Sequence, residues 1–213
     1  MIPLRCEHIS CNRPDGTPTH ELTAGFPAGT LWGFCGTDSE RVLNVLGAID
    51  RPRRGRLEVL GMNVLAMSDP SARAWRDRCF GFLFAHPHLL PSFTVAENVA
   101  MPFFRLCSRD PALAKRRTLE ILDFMGIAKL ESSAVGDLDE ASVWRTAMAR
   151  AIVHRPSILV APSPPDPLLL PFAHRLAKEA GTTVLWNGER HQVSRHADSM
   201  LDLEETPALA GVA

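Results

Sequence analysis

The chain has 213 residues, 46% hydrophobic and 22% charged, which fits one medium folded domain, or a core with a small inserted lobe, and excludes a disordered chain. Lys plus Arg number 23 against 24 Asp plus Glu, a formal net charge of -1, so no bulk positive field gathers nucleic acid or an anionic membrane surface. The five cysteines (Cys6, Cys11, Cys35, Cys79, Cys107) form no C-x-x-C pair, which argues against a disulfide framework or zinc ribbon and for a reducing compartment.

The first residues show no basic-then-apolar leader pattern, and no run of about 18 apolar residues exists to span a bilayer. Residues 2–9 read as a short strand (Ile2, Leu4, Cys6, Ile9), followed by a polar, turn-rich stretch from Asn12 to Thr19. Thr30-Leu31-Trp32-Gly33 predicts a buried strand that leads through Phe34-Cys35-Gly36 into a helix with Val42, Val45 and Leu46 on one face. Further strands are expected at Leu57 to Leu60 and at Phe80 to Phe84. Residues 112–126 predict a helix in which Leu119, Leu122 and Met125 share a face, Ile121 and Phe124 widen it, and Gly126 suits a left-handed end. Residues 141–153 predict another, with Val143, Ala147 and Ala151 at i, i+4 and i+8. Ile158-Leu159-Val160-Ala161 and Thr183-Val184-Leu185-Trp186 are short apolar runs bounded by breakers, as in parallel strands covered on both faces. A helix over residues 171–180 lies between them. Strands alternating with helices imply an α/β core.

Four ordered stretches carry a resemblance. They are VLNVLGAIDRPRRGRLEVLGMNVLAMSD (42–69), FGFLFAHPHLLPSFTVAENVAMPF (80–103), AMARAIVHRPSILVA (147–161), and GTTVLW with RHADSMLDLEE near the C-terminus. In order and spacing they resemble the ATP-binding subunits of ABC transporters, of the lipoprotein-release and macrolide-export type. The resemblance implies a P-loop NTPase-like ABC nucleotide-binding domain, with a core of residues 1–85 and 151–213 and an inserted helical lobe of about 86–150.

The nucleotide motifs depart from the family's pattern. The phosphate loop G-x-x-G-x-G-K-[S/T] brings backbone N–H groups to the phosphates, a Lys to the β and γ groups and a hydroxyl to Mg²⁺. Here Gly33 and Gly36 remain, while Asp38 stands at the third glycine, Ser39 at the lysine and Glu40 at the hydroxyl. One like-charge pair at ~4 Å costs about 4 kcal/mol even at an effective dielectric of ~20. Thr37-Asp38-Ser39-Glu40 also has the T-x-x-E form of a capping box. The loop amides are therefore expected to be satisfied by Thr37 and Glu40, with simple decay of an unused loop as the alternative. The signature LSGGQ appears as Leu138-Asp139-Glu140-Ala141-Ser142, with Asp139 a plausible N-cap. Where the resemblance implies the Walker B Asp-Glu, which hold metal and orient water, stand Pro162 and Ser163, followed by a shortened Pro164-Pro165-Asp166-Pro167. The Q-loop glutamine corresponds to Ala85 and the switch histidine to Glu189, two residues before His191. The adenine-stacking aromatic falls near Arg13, and the chain has no Tyr.

Other clusters are weaker. His86-Pro87-His88 and the pair His191 and His196 lack metal-ligand spacing, so neither a metal site nor a catalytic residue is expected. Arg51-Pro52-Arg53-Arg54-Gly55-Arg56 and Lys115-Arg116-Arg117 are solvated faces, or else contacts for acidic headgroups or a partner loop. The expected function is a degenerate, non-hydrolysing ATP-binding subunit in a structural or regulatory role. ATP and Mg²⁺ are the family's cofactors, and the losses argue that neither is held. The implied partners are an integral membrane permease, another ABC ATPase subunit, or both, with no nucleic acid and with membrane contact only through a partner. The place is cytoplasmic, peripheral on the inner face of the membrane. Phe93, Val95 and Val99 are the docking candidates, with the lobe's own core as their other reading. Each family ATP lies between the phosphate loop of one subunit and the signature of the other, so pairing this chain with a normal subunit would impair both composite sites. Two alternatives stay open: a nucleotide-binding subunit beside an active paralogue, and an interaction module unrelated to transport.

Overall fold

The computed structural model describes residues 1–162 and 167–204. Two sheets and a set of helices form the molecule. An antiparallel sheet of order β2-β1-β4-β5 comprises β1 (Leu4–Ser10), β2 (Leu22–Phe26), β4 (Arg54–Val59) and β5 (Met62–Asn63). A parallel sheet of order β6-β7-β8-β3-β9 comprises β3 (Leu31–Cys35), β6 (Phe80–Phe82), β7 (Ile158–Ala161), β8 (Thr183–Asn187) and β9 (Ser199–Asp202). The helices are α1 (Ser39–Leu46), α2 (Asp69–Cys79), α3 (Val95–Leu106), α4 (Pro111–Phe124), α5 (Glu140–Ile152), α6 (Leu170–Ala180) and α7 (Arg190–Val193).

The parallel strands are apolar on both faces because both faces are covered. Along β7, Ile158 and Val160 join one apolar cluster while Leu159 and Ala161 join the other. Along β8, Leu185 faces the first cluster, and Val184 and Trp186 face the second. This is the period-two alternation of a strand. One cluster lies under the antiparallel sheet and α1, with Phe26, Phe34, Leu43 and Leu57 at its centre. The other joins the parallel sheet to α3, α4, α5 and α6 through Leu122, Met125, Met148 and Trp186.

Helix α3 begins with a real capping box: Thr94 accepts from the Glu97 amide, and the Glu97 carboxylate accepts from the Thr94 amide. Asn98, fully buried, ties the preceding loop down, accepting from the Leu90 N–H at 2.8 Å and donating to the Leu90 and Thr94 carbonyls. Helix α4 ends as expected, with Gly126 at φ +70 just past its cap. Its apolar stripe is rotated from the expected one. Ala114, Thr118, Ile121 and Leu122 face inward, and Leu119 turns to a surface groove.

Val95 and Val99 are both completely buried in the cluster that joins α3 to the parallel sheet. As docking contacts they are overturned: the i, i+4 pair is the face by which α3 packs inward, and no partner can touch it.

Candidate functional site

The carboxyl ends of β3, β8 and β9 open on one side of the parallel sheet, the side where α/β folds carry their ligands. A cavity of about 680 Å³ lies there, with Gly36, Ser39, Asn187, Glu189, Asp202 and Glu204 on its walls. The loop at residues 36–38 joins β3 to α1. Gly36 has φ +99, a conformation open to glycine, and the Glu204 side chain lies 3.1 Å from where a Cβ would stand.

The loop is held by the chain's own side chains, though not by the ones expected. The box needed Thr37 at the cap and Glu40 three residues in. The helix starts one residue later, so Asp38 takes the cap position with helical φ and ψ and makes no side-chain cap bond. That shift moves Glu40 to the second helical position, where it is exposed and complements the helix dipole. The Thr37 N–H instead donates to the Glu204 carboxylate at 3.1 Å, across 167 residues of sequence. Glu204 is itself set by its own N–H on Asp202 (2.9 Å) and by the Leu203 N–H on the Cys35 carbonyl (3.0 Å). A carboxylate thus sits on a loop amide of the kind that binds phosphate.

Asp38 is 7% exposed and does not aim a bare charge at the loop. Arg13 donates to its Oδ2 from Nε at 2.8 Å and from Nη2 at 2.6 Å, and its Nη1 donates to the Pro18 carbonyl at 3.0 Å. The Asp38 hydrogen bond holds the Arg13 guanidinium above its ordinary pKa. Arg13 is engaged in the loop through the edge of its guanidinium group. The Ser39 hydroxyl has two acceptors at 2.7 Å, the Gly36 carbonyl and Asn187 Oδ1, and its single proton serves one at a time. The Asn187 amide N–H donates to the Pro162 carbonyl at 2.7 Å. Pro162 is buried at the end of β7, so the place where the resemblance implies a metal-holding carboxylate is tied to β8 by an amide. Across the cavity, Arg190 pairs with Asp202. The Asp202 carboxyl is held below the usual range, first by the Glu204 amide and then by Arg190.

Among the expected site residues, Gly36, Ser39 and Glu189 meet in this cavity. Glu189 stands at the cap of α7 without a side-chain cap bond. Gly33 lies inside β3, where a Cβ would strike Met200 and Val193. Ala85 is exposed beyond β6, and Ser163 lies outside the described residues, as do residues 164–166. Asp139 caps α5 as expected: its Oδ1 accepts from the Ser142 N–H at 2.7 Å, and that bond lowers its pKa. Glu140 is in the first turn of the same helix, exposed. Sequence reasoning missed Glu204, Asn187 and Asp202. The one available signal was position, since polar residues at the ends of predicted parallel strands face the ligand side.

Two apolar grooves border α3. One, about 380 Å³, runs between β6 and α3, with Phe82, Met101, Pro102 and Arg105 on its walls. Phe82 and Phe84 stack beside it, ring centroids 5.6 Å apart. The other, about 430 Å³, lies between α3 and α4, and Phe93, 43% exposed, stands on it with Met101 and Phe104.

No family model matches the chain. The lipoprotein-releasing system ATP-binding protein LolD of Bordetella pertussis is 33% identical over 180 residues, covering 81% of this chain and 77% of its own. LolD of Bordetella avium is 32% identical over 223 residues, covering 98% and 96%. Among solved structures, the ATP-binding cassette MJ0796, in a dimeric post-hydrolysis state bound to ADP and Pi, matches with a TM-score of 0.80 at 20% identity over 98% of this chain and 97% of its own. The protein cbiO1 of Clostridium perfringens, part of the ABC transporter complex cbiONQ, matches with a TM-score of 0.81 at 19% identity over 94% and 84%. The two structural matches share the fold of this chain.

Proposed function

The chain belongs to the ATP-binding subunits of ABC transporters, of the lipoprotein-release type, and we propose that within this family it is a non-hydrolysing pseudo-ATPase that docks on a membrane permease in a structural or regulatory role. One observation carries the reading: the phosphate loop is closed by the chain's own Glu204, Ser39 and Arg13–Asp38 contacts. A triphosphate would have to displace a carboxylate from the Thr37 amide and would meet Ser39 where a lysine should bridge its phosphates. Glu40 offers Mg²⁺ a carboxylate in place of a hydroxyl, and Pro162 offers neither a metal ligand nor a base for water. Asp139 and Glu140 place carboxylates at the helix end that would face the γ-phosphate of a partner subunit. Both halves of each composite site are therefore altered, which supports a structural role over that of one half of an asymmetric ATPase pair.

Subunits of this family are cytoplasmic and peripheral to the inner membrane, and the same place is assigned to this chain. Among the described residues no helix is long and apolar enough to cross a membrane. We divide the chain into a core of residues 1–85 and 151–213 and a lobe of about 86–150. The core–lobe groove at Phe82, Met101 and Arg105 is the surface offered to a permease segment. Of the three sequence candidates, Phe93 alone stays accessible to a partner. A second reading, a subunit that binds nucleotide weakly beside an active paralogue, is favoured by the cavity of about 680 Å³ that persists at the strand ends.

The test is ATP hydrolysis by the chain purified with its permease. The expected result is no Mg-dependent turnover, for the parent and equally for an Asp38→Gly/Ser39→Lys variant, since Pro162 and Asp139 remain. Turnover by the parent overturns the reading. Recovery of the chain from a detergent extract without any integral membrane protein overturns the docking.

A further inference from the structure

The two basic runs of the sequence are disposed differently. In the first, Arg51, Arg54 and Arg56 pair with separate carboxylates, Asp69, Glu21 and Glu58. In the second, the structure gathers three guanidinium groups around one carboxylate. Arg117 Nη1 lies 3.2 Å and Arg155 Nη2 3.8 Å from Glu120 Oε2, and Arg116 Nε lies 3.9 Å from Oε1. Three cations share one anion, leaving two positive charges in excess.

These groups wall a cavity of about 290 Å³ whose lining is completed by Phe103, Leu113, Cys107 and His154. Arg117 is the fixed member: its side chain is 17% exposed, and its Nε donates to the Val153 carbonyl at 3.0 Å. Arg116 and Arg155 stand at the mouth, 72% and 74% exposed. Arg155 is held at φ +57, in the left-handed region that a residue of its kind seldom adopts. Guanidinium groups match the oxygens of phosphate and carboxylate bidentately, and an excess of positive charge favours the more highly charged phosphate.

We propose that this cavity binds a phosphate ester, its phosphate on Arg116, Arg117 and Arg155 and its apolar substituent against Phe103 and Leu113. The site is separate from the vacated nucleotide loop and independent of the pseudo-ATPase reading. A phosphate ester can come from an acidic phospholipid headgroup or from a soluble metabolite, and the two sources are separable.

The test titrates the full chain with hexyl phosphate, with inorganic phosphate, and with phosphatidylcholine vesicles with and without phosphatidylglycerol. Hexyl phosphate is expected to bind more tightly than inorganic phosphate. Arg116→Gln and Arg155→Asn (Asn tolerating the left-handed backbone) should each weaken binding about tenfold. Glu120→Gln removes the competing carboxylate and should strengthen binding by a similar factor, so a general loss of folding cannot mimic the pattern. Vesicle binding that needs phosphatidylglycerol and is competed by hexyl phosphate assigns the lipid source. Binding of hexyl phosphate without vesicle binding assigns the soluble one. No binding of hexyl phosphate or of phosphatidylglycerol vesicles by the folded chain overturns the proposal, as does binding unchanged in the two arginine variants or weakened by Glu120→Gln.

Discussion

Arg13 and Asp38 set the form of the remodelled loop. Asp38 is nearly buried while Arg13 keeps a third of its side chain in solvent, at 10% and 34% side-chain exposure. The two are therefore not equivalent when one is removed. Arg13→Ala strands a carboxylate away from water, whereas Asp38→Ala leaves a guanidinium free to hydrate. Arg13→Ala is expected to lower Tm by about 2–4 °C, Asp38→Ala by less, and the double variant by no more than Arg13→Ala alone; a thermal scan of the three decides it. Acid should weaken the fold through carboxyls that the structure stabilises when charged. The pKa of Asp139 is lowered by the Ser142 amide and that of Asp202 by the Glu204 amide. A group depressed in the folded state contributes its stability above its unfolded value, about 3.9 for Asp, and loses it as pH falls through the lower folded value. Tm measured from neutral to acid pH should fall in that acid range, and fall less steeply for Asp139→Asn.

The short strand β6 is fixed against α5 by an absence of side chain. A Cβ on Gly81 would lie 2.2 Å from the Ala151 carbonyl oxygen, which is helix backbone and cannot swing aside. Gly81→Ala is expected to cost about 1–3 kcal/mol or more in denaturant unfolding. Gly33→Ala, whose Cβ would first meet the Met200 and Val193 side chains rather than backbone, should cost less. Elements with a strong periodic signal were legible in the sequence: β3, β7 and β8 as apolar runs between breakers, α4 and α5 by their stripes. Helix α2 was not, because only Cys79 of its eleven residues is buried, so it has no apolar stripe to read. Strand β2 alternates Leu22, Ala24 and Phe26 inward over just five residues, too short a run beside Gly25 to stand out. The inward face of α3 was not decidable either. Val95, Ala96, Val99, Ala100, Met101 and Phe104 surround the helix with apolar groups, and packing alone selects Val95 and Val99.

At the scale of the molecule, the site is made by contacts that no local motif contains. Thr37 and Glu204 are 167 residues apart, Ser39 and Asn187 are 148 apart, and Arg13 and Asp38 are 25 apart. The sequence made the altered loop and the acidic signature legible, because each substitution falls within a contiguous stretch. It led to the wrong closing device, because the helix starts one residue later than the capping box requires and the strand ends bring Glu204 into the gap. On the proposed reading, Glu204 on the Thr37 amide, together with Ser39 at the lysine position and Pro162 at the carboxylate position, disfavours a bound triphosphate at this cavity. The most direct measurement is equilibrium binding of Mg-ATP to the purified chain by titration calorimetry. No detectable saturation is expected at micromolar nucleotide; a micromolar dissociation constant overturns the pseudo-ATPase reading.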